Sequence, residues 1–336
     1  MDIEFHYWIT GILAKAAGFP ETAAVTLAHA SQLVDDNTYE VTIQEGGGAK
    51  YTNLITQTAD PFMPQRKRLG IYPAFHFVPG DPARAEPRRD GKTHLLNTVP
   101  DNQNARDLLG EALQDTSDMG LYRLGIAAHA FVDTWAHQNF VGWEDSFNGQ
   151  DGNPMPDIGH ADFMHHPDRV SHHWNDERLV QGQVDNNLRF INAAGRLFQE
   201  LTTSPHATPP ADPSAEWVGL RNRLLNVFGR TTGGGVSGAV NVINRGREAE
   251  YRKLDPWQHG PDYNAHAWLD DSTDYTWPDP STDFGQKPAT LTWKSGKSKQ
   301  DTPWGLFQEA ARAHQKSALG KLAPIFARMG VDVGTL

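Results

Sequence analysis

The chain has 336 residues, 38% of them hydrophobic, and a net charge of −11. That is enough apolar material for a core, and the sign argues against non-specific binding to nucleic-acid backbones unless bound metal ions reverse the local field. Cysteine is absent while histidine occurs 15 times, which excludes disulfides and thiolate metal sites and leaves His and carboxylate as the ligands of any metal.

Residues 5–17 (FHYWITGILAKAA) read as an amphipathic helix stopped by Gly18 and Pro20. Residues 21–37 form a second, Ala-rich helix with His29 at mid-length and Asp35 and Asp36 at its end. An acidic pair at a helix C-terminus opposes the macrodipole, so it needs a compensating cation unless the helix end is simply exposed. Residues 39–58 alternate around Gly46-Gly47-Gly48 and predict a small hairpin. The stretch 61–100 reads mostly as loop. It contains His76 between Phe75 and Phe77, either a packed core histidine or a ligand, and His94, which has no comparable setting.

A helix at 104–116 leads into the most informative segment, 121–143 (LYRLGIAAHAFVDTWAHQNFVGW). His129, Asp133 and His137 stand at i, i+4 and i+8, so three good metal ligands stack on one face of an otherwise apolar helix. Buried ionisable groups are expensive unless paired or metal-bound, which favours a metal site over hydrogen-bonded polar groups in a core. A loop-rich run, 144–176, then brings His160, Asp162, His165, His166, Asp168, His172, His173 and Asp176 close together in sequence. Helical patterns resume at 185–202, 214–229, 235–254 and 303–329. Between the last two lies an aromatic- and Asp-rich segment, 255–304, too long for a routine connection. There is no stretch of the roughly 18 apolar residues that span a membrane, so stable membrane insertion is not expected. The start MDIEFHYW is not a secretory signal. It fits a cytoplasmic protein, a mature form, or export by a signal-independent route.

In order and character, His6, Asp35/Asp36, His76, His129-x-x-x-Asp133, His137 and His160 resemble the trinuclear zinc phosphodiesterase superfamily. That superfamily contains the bacterial zinc-dependent phospholipases C and the fungal-type single-strand nucleases. The segments FHYW, ASQLVDDNT, FHFVPGD and IGHAD…HHPD look most like an uncharacterised bacterial group within it, and the matched motifs span roughly residues 1–176. The resemblance implies an all-α, multi-helix phospholipase C/nuclease-like bundle, here with a small β-hairpin and long loops. The chain reads as one domain over 1–336, with a metal-binding helical core in 1–205 and C-terminal helices with the aromatic-rich loop in 206–336. The resemblance also implies roughly two to three zinc ions, held by His6, Asp35 or Asp36, His76, His129 and Asp133, with later ligands among His137, His160, His165 and Asp168. His172-x-x-x-Asp176 and His173-x-x-x-Glu177 are alternatives for the later pair; His160 is preferred because Gly159-His160 sits in a tight loop able to reach back. The superfamily places a His six residues after its bridging Asp; position 139 is Asn here, and His137 is the nearest substitute. Its secreted members also use the amino group of their first residue, a role open to Met1, with Asp2 or Glu4 as alternatives.

Helix geometry divides the labour. His129 and Asp133 are one turn apart and can share an ion, whereas His129 and His137 are about 12 Å apart along the axis and cannot. Asp133 is the expected bridge, and Asp35 or Asp36 a ligand or general base. The expected activity is hydrolysis of a phosphodiester, a phospholipid head group or nucleic acid, by metal-activated water; no protein partner is expected. A nuclease on the same core needs aromatic platforms and a basic groove, for which Arg245, Arg247, Arg252 and Lys253 are a modest start. A third alternative is a non-catalytic module whose zinc is structural and closed. An HD-type phosphohydrolase fits less well, since no adjacent His-Asp pair occurs.

Overall fold

The computed structural model describes residues 1–58, 60, 62–150, 157–229, 240–257, 260–274 and 291–335. A π-helical turn, Glu4–Ile9, runs directly into α1 (Thr10–Ala16), and α2 (Glu21–Asp36) follows. Strands β1 (Thr42–Gln44) and β2 (Lys50–Thr52) form the expected hairpin. The region read as loop contains the short helices α3 (Gln65–Leu69) and α4 (Tyr72–Phe75). After them come α5 (Gln103–Leu113), capped by the Asn102 side chain, and α6 (Gly120–Ala136). The second half holds β3 (His173–Asn175), β4 (Gln183–Asp185), α7 (Asn186–Leu201), α8 (Pro213–Phe228), α9 (Val240–Tyr251), α10 (Ala267–Ser272), β5 (Thr273–Asp274), β6 (Leu291–Trp293) and α11 (Pro303–Arg328).

The protein is mostly helical, but the all-α expectation is corrected by two small sheets. The hairpin is half of a four-stranded sheet, β2-β1-β6-β5, in which β1 runs parallel to β6. Its other half comes from the aromatic-rich segment, so that segment packs down on the body through Trp268, Trp293 and Trp304. The rest of that segment, 258–259 and 275–290, lies outside the described residues, as do 235–239 of the predicted 235–254 helix. Among the described residues, no helix is long and apolar enough to cross a membrane.

Helix α6 is the axle. It packs on α2, α5, α7 and α11 and is buried along almost its whole length. Small residues let α2 and α6 come close: a Cβ placed on Gly125 would lie 2.5 Å from the Leu27 carbonyl oxygen. One continuous apolar cluster joins Phe5, Leu27, Phe131, Phe190 and Phe307 around this pair. The predicted 121–143 helix ends seven residues early. The His137 N–H makes the last helical bond, to the Asp133 carbonyl, and Asn139 turns the chain away in the left-handed region at φ 68°. His137 is therefore the C-cap, free of the strict i+8 geometry.

Candidate metal centre

Four histidines face one another across the centre, and each is oriented from behind by a main-chain carbonyl. The outer nitrogen, as N–H, donates: His129 Nδ1 to Ser31 O at 2.8 Å, His76 Nε2 to Thr56 O at 2.8 Å, His137 Nδ1 to His76 O at 2.8 Å, and His160 Nδ1 to Met164 O at 2.6 Å. A neutral imidazole that donates from one nitrogen presents a lone pair at the other. This arrangement is the usual support of metal-binding histidines. The second nitrogens all point inward, and His129 Nε2 and His76 Nδ1 are only 3.1 Å apart.

The ligand atoms fall into three groups, each with its members within 4.8 Å of one another: His6, His129 and Asp133; Asp35, His76 and His129; and His137, His160 and Asp168. Asp133 lies at the junction. Its Oδ1 is 3.2 Å from His6 Nε2, and its Oδ2 is 3.2 Å from His129 Nε2 and 3.4 Å from His76 Nδ1. The Met1 amino group sits 2.5 Å from Asp133 Oδ1 and 3.4 Å from Asp168 Oδ1. His6 stacks on His129 with ring centroids 3.7 Å apart.

Metal suits this arrangement because several buried polar atoms lack any hydrogen-bond partner among the described residues. Both nitrogens of His6 and Oδ2 of Asp133 are such atoms, in a protein interior where buried polar groups are normally satisfied. Burial holds His6 well below the ordinary histidine range, reinforced by His129, and brings His160 down to about 4. Burial opposes ionisation of Asp133, yet His137, the Met1 amino group and His129 hold it well below the usual carboxylate range. Divalent ions take anionic oxygens and neutral imidazoles, the states towards which Asp133, His6 and His160 are shifted. Asp35 is raised by burial, and His76 is raised because Asp133 and Asp35 outweigh its burial.

Other expected ligands are placed elsewhere. Asp36 faces away from Asp35: its Oδ2 accepts from the Gln32 amide at 3.0 Å and from the Tyr263 hydroxyl at 2.7 Å. Neighbouring residues on a helix point about 100° apart, so only one of the pair can reach the centre. His165 is largely exposed on the rim, 3.8 Å from Asp168, and belongs to none of the three groups. His172 meets His166 at 2.6 Å, and Asp176 is held by the Arg178 guanidinium at 2.7 Å, so that pair does not form a site. His173 and Glu177 are exposed. Glu4 is buried 2.7 Å from Arg247 Nε and 3.0 Å from the Tyr251 hydroxyl. His29 stacks on Trp268 and His94 accepts from the Leu96 N–H, both packing roles. The orienting carbonyls were invisible in the sequence, since every residue carries one.

The centre opens into a cleft of about 630 Å³. Asp35, His76, His137, His160 and Asp168 line its floor. Ile3, Tyr72, Phe77, Ile158 and Met164 give it apolar walls, and among the described residues no Lys or Arg lines it.

Fold and site together define a mostly helical protein with buried His/Asp groups that can hold metal ions. The chain belongs to a family of unknown function, DUF6765, whose family model matches residues 1–322. No curated protein and no solved structure matches it.

Proposed function

We propose that the chain is a metal-dependent phosphoric diester hydrolase of phospholipase C type, a phospholipase C/nuclease-like helical bundle carrying roughly two to three zinc ions. The observation that carries this reading is the set of three His/carboxylate groups, two of them sharing His129, with Asp35, His76, His137, His160 and Asp168 lining an open cleft. The donor set of nitrogen and carboxylate oxygen without sulfur is that of hydrolytic zinc. Asp133, His6, His76, His129 and Asp35, together with His137, His160 and Asp168, would hold the ions. When bound, such ions turn a water into hydroxide at neutral pH and neutralise phosphate charge. Asp35, which lines the cleft with 25% of its side chain exposed, would orient the attacking water and hold its proton. The apolar walls exclude bulk water from the phosphate.

The cleft lining favours a single phosphate over a polyanion. Nucleic-acid backbones are bound by rows of cations, and among the described residues no Lys or Arg lines this cleft. The basic cluster near α9 is already engaged: Arg247 with Glu4, Arg252 with Asp262, and Lys253 with Glu250. The Arg245 side chain lies outside the described residues. An open cleft also argues against a closed structural zinc site.

Protein purified without chelators should contain roughly two to three zinc ions per chain and hydrolyse bis-p-nitrophenyl phosphate. Asp133→Asn should stay folded, lose metal, and lose at least about a hundredfold in rate. Less than about one metal per chain, or undiminished turnover in Asp133→Asn, would sink the proposal.

A further inference from the structure

Among the described residues, the large apolar side chains that stand exposed are Tyr39, Phe62, Met164, Val180, Leu188 and Val218. Scattered singly, such residues carry no message. Three of them gather around the cleft instead. Met164, 54% exposed, lines it; Tyr39, 49% exposed, follows the lining residue Thr38; and Phe62, 90% exposed, lies four residues beyond the lining residue Thr58. The segment after Phe62 is tied to another stretch of the rim. Arg68 Nη1 donates to Glu144 Oε2 at 2.7 Å and Gln65 Nε2 to the Glu144 carbonyl at 3.3 Å, while Glu144 pairs through its backbone with Ile158, which lines the cleft. Of the three cations on α3, Arg68 is buried in that pairing. Arg66 and Lys67 are exposed, and neither has a carboxylate partner among the described residues.

We propose that this rim docks reversibly on an anionic lipid surface, with Phe62, Tyr39 and Met164 entering the head-group layer and Arg66 and Lys67 meeting lipid phosphates. Apolar side chains beside basic ones supply the two attractions that hold a protein on such a surface without spanning it. The cations choose the occupant. Unpaired positive charge at one place on a molecule of net charge −11 draws an anionic surface to that place, whereas a second copy seated on the same rim would set two uncompensated pairs of cations together. Docking there turns the mouth of the cleft to the bilayer. The inference rests on the hydrolase reading only for what the rim delivers, a phospholipid phosphodiester; the docking itself needs no turnover.

The test is co-sedimentation of the zinc-loaded protein with phosphatidylcholine vesicles, with and without phosphatidylglycerol. Mixed vesicles should bind about tenfold more tightly than neutral ones, and raised salt should remove the difference. Phe62→Ser should weaken binding to mixed vesicles about tenfold, and Arg66→Gln/Lys67→Gln should bring it down to the level of neutral vesicles. Both variants should keep the circular dichroism, zinc content and bis-p-nitrophenyl phosphate turnover of the wild type. No binding to mixed vesicles, equal binding to both kinds, or undiminished binding in either folded variant overturns the inference. So does a concentration-dependent mass in sedimentation velocity that Phe62→Ser abolishes, which would give the rim to a second copy. If one variant does not fold, the other decides alone. Vesicle binding without turnover of the soluble ester leaves this inference standing and defeats the hydrolase reading, and turnover without vesicle binding does the reverse.

Discussion

His29 and His129 show how differently one residue type can be used. His129 has a carbonyl behind it and carboxylates in front. His29 lies flat on Trp268 with ring centroids 4.0 Å apart, and its Nε2 has no partner among the described residues. Burial lowers the His29 pKa to about 4. Its folded pKa is below its unfolded value near 6.5, so between those values the unfolded chain binds a proton that the folded chain does not. Stability from this residue is complete above pH 6.5 and drains away as the pH falls towards 4, by roughly 3 kcal/mol in all. His29→Phe, which keeps the stack, should show a shallower decline over that window in urea unfolding at graded pH; identical slopes would refute the assignment. The same scale explains which site residues could be read in advance. His129 and Asp133 announce themselves by spacing, because one helix presents both. Asp35 and Asp36 do not, because the choice between them is made by Gln32 and by Tyr263, a residue far away in sequence.

At the level of elements, the π-helical turn 4–9 and α9 are tied by a buried carboxylate. Glu4 is fully buried, and Arg247 meets both its oxygens, at 2.7 and 2.8 Å, while Tyr251 donates to one of them. Burial raises the Glu4 pKa, with Arg247 and Tyr251 opposing that shift. His6 is two residues from this clamp, so the clamp sets where the turn carrying His6 sits. Arg247→Met should destabilise the fold by about 3 kcal/mol, because it strands a buried charge, and the double variant Glu4→Gln/Arg247→Met should recover part of the loss. Denaturant midpoints of the two variants check this; equal losses would show that no stranded charge is involved. Periodicity predicts α2, α5, α7, α8 and α11 closely, since each buries one face along a continuous stretch. It misses the β1–β6 pairing, whose partners come from opposite ends of the chain. It also overruns α6, because residues beyond 136 keep an apolar pattern while leaving the helix.

Taken as a whole, the molecule is acidic, with a formal charge of −11, and it gathers Asp35, Asp133 and Asp168 within one centre. Ions that bind this centre and not the unfolded chain stabilise the fold by mass action, about 2.7 kcal/mol at a hundredfold excess over the dissociation constant. Chelation should therefore lower the melting temperature, and added zinc should restore it in proportion to the logarithm of its concentration. A melting temperature indifferent to both would mean that the centre holds no ion. The spacing of α2 and α6 bears on the same equilibrium. Gly125 lets the helices approach until the Ser31 carbonyl reaches the His129 ring, and that approach fixes where the ring nitrogen points. The interval between two backbones is thus a tuned dimension of the centre, and a residue with no side chain sets it. A side chain at position 125 would push α2 away from α6, and with it the carbonyl that orients His129, reshaping the centre without substituting any residue that faces it.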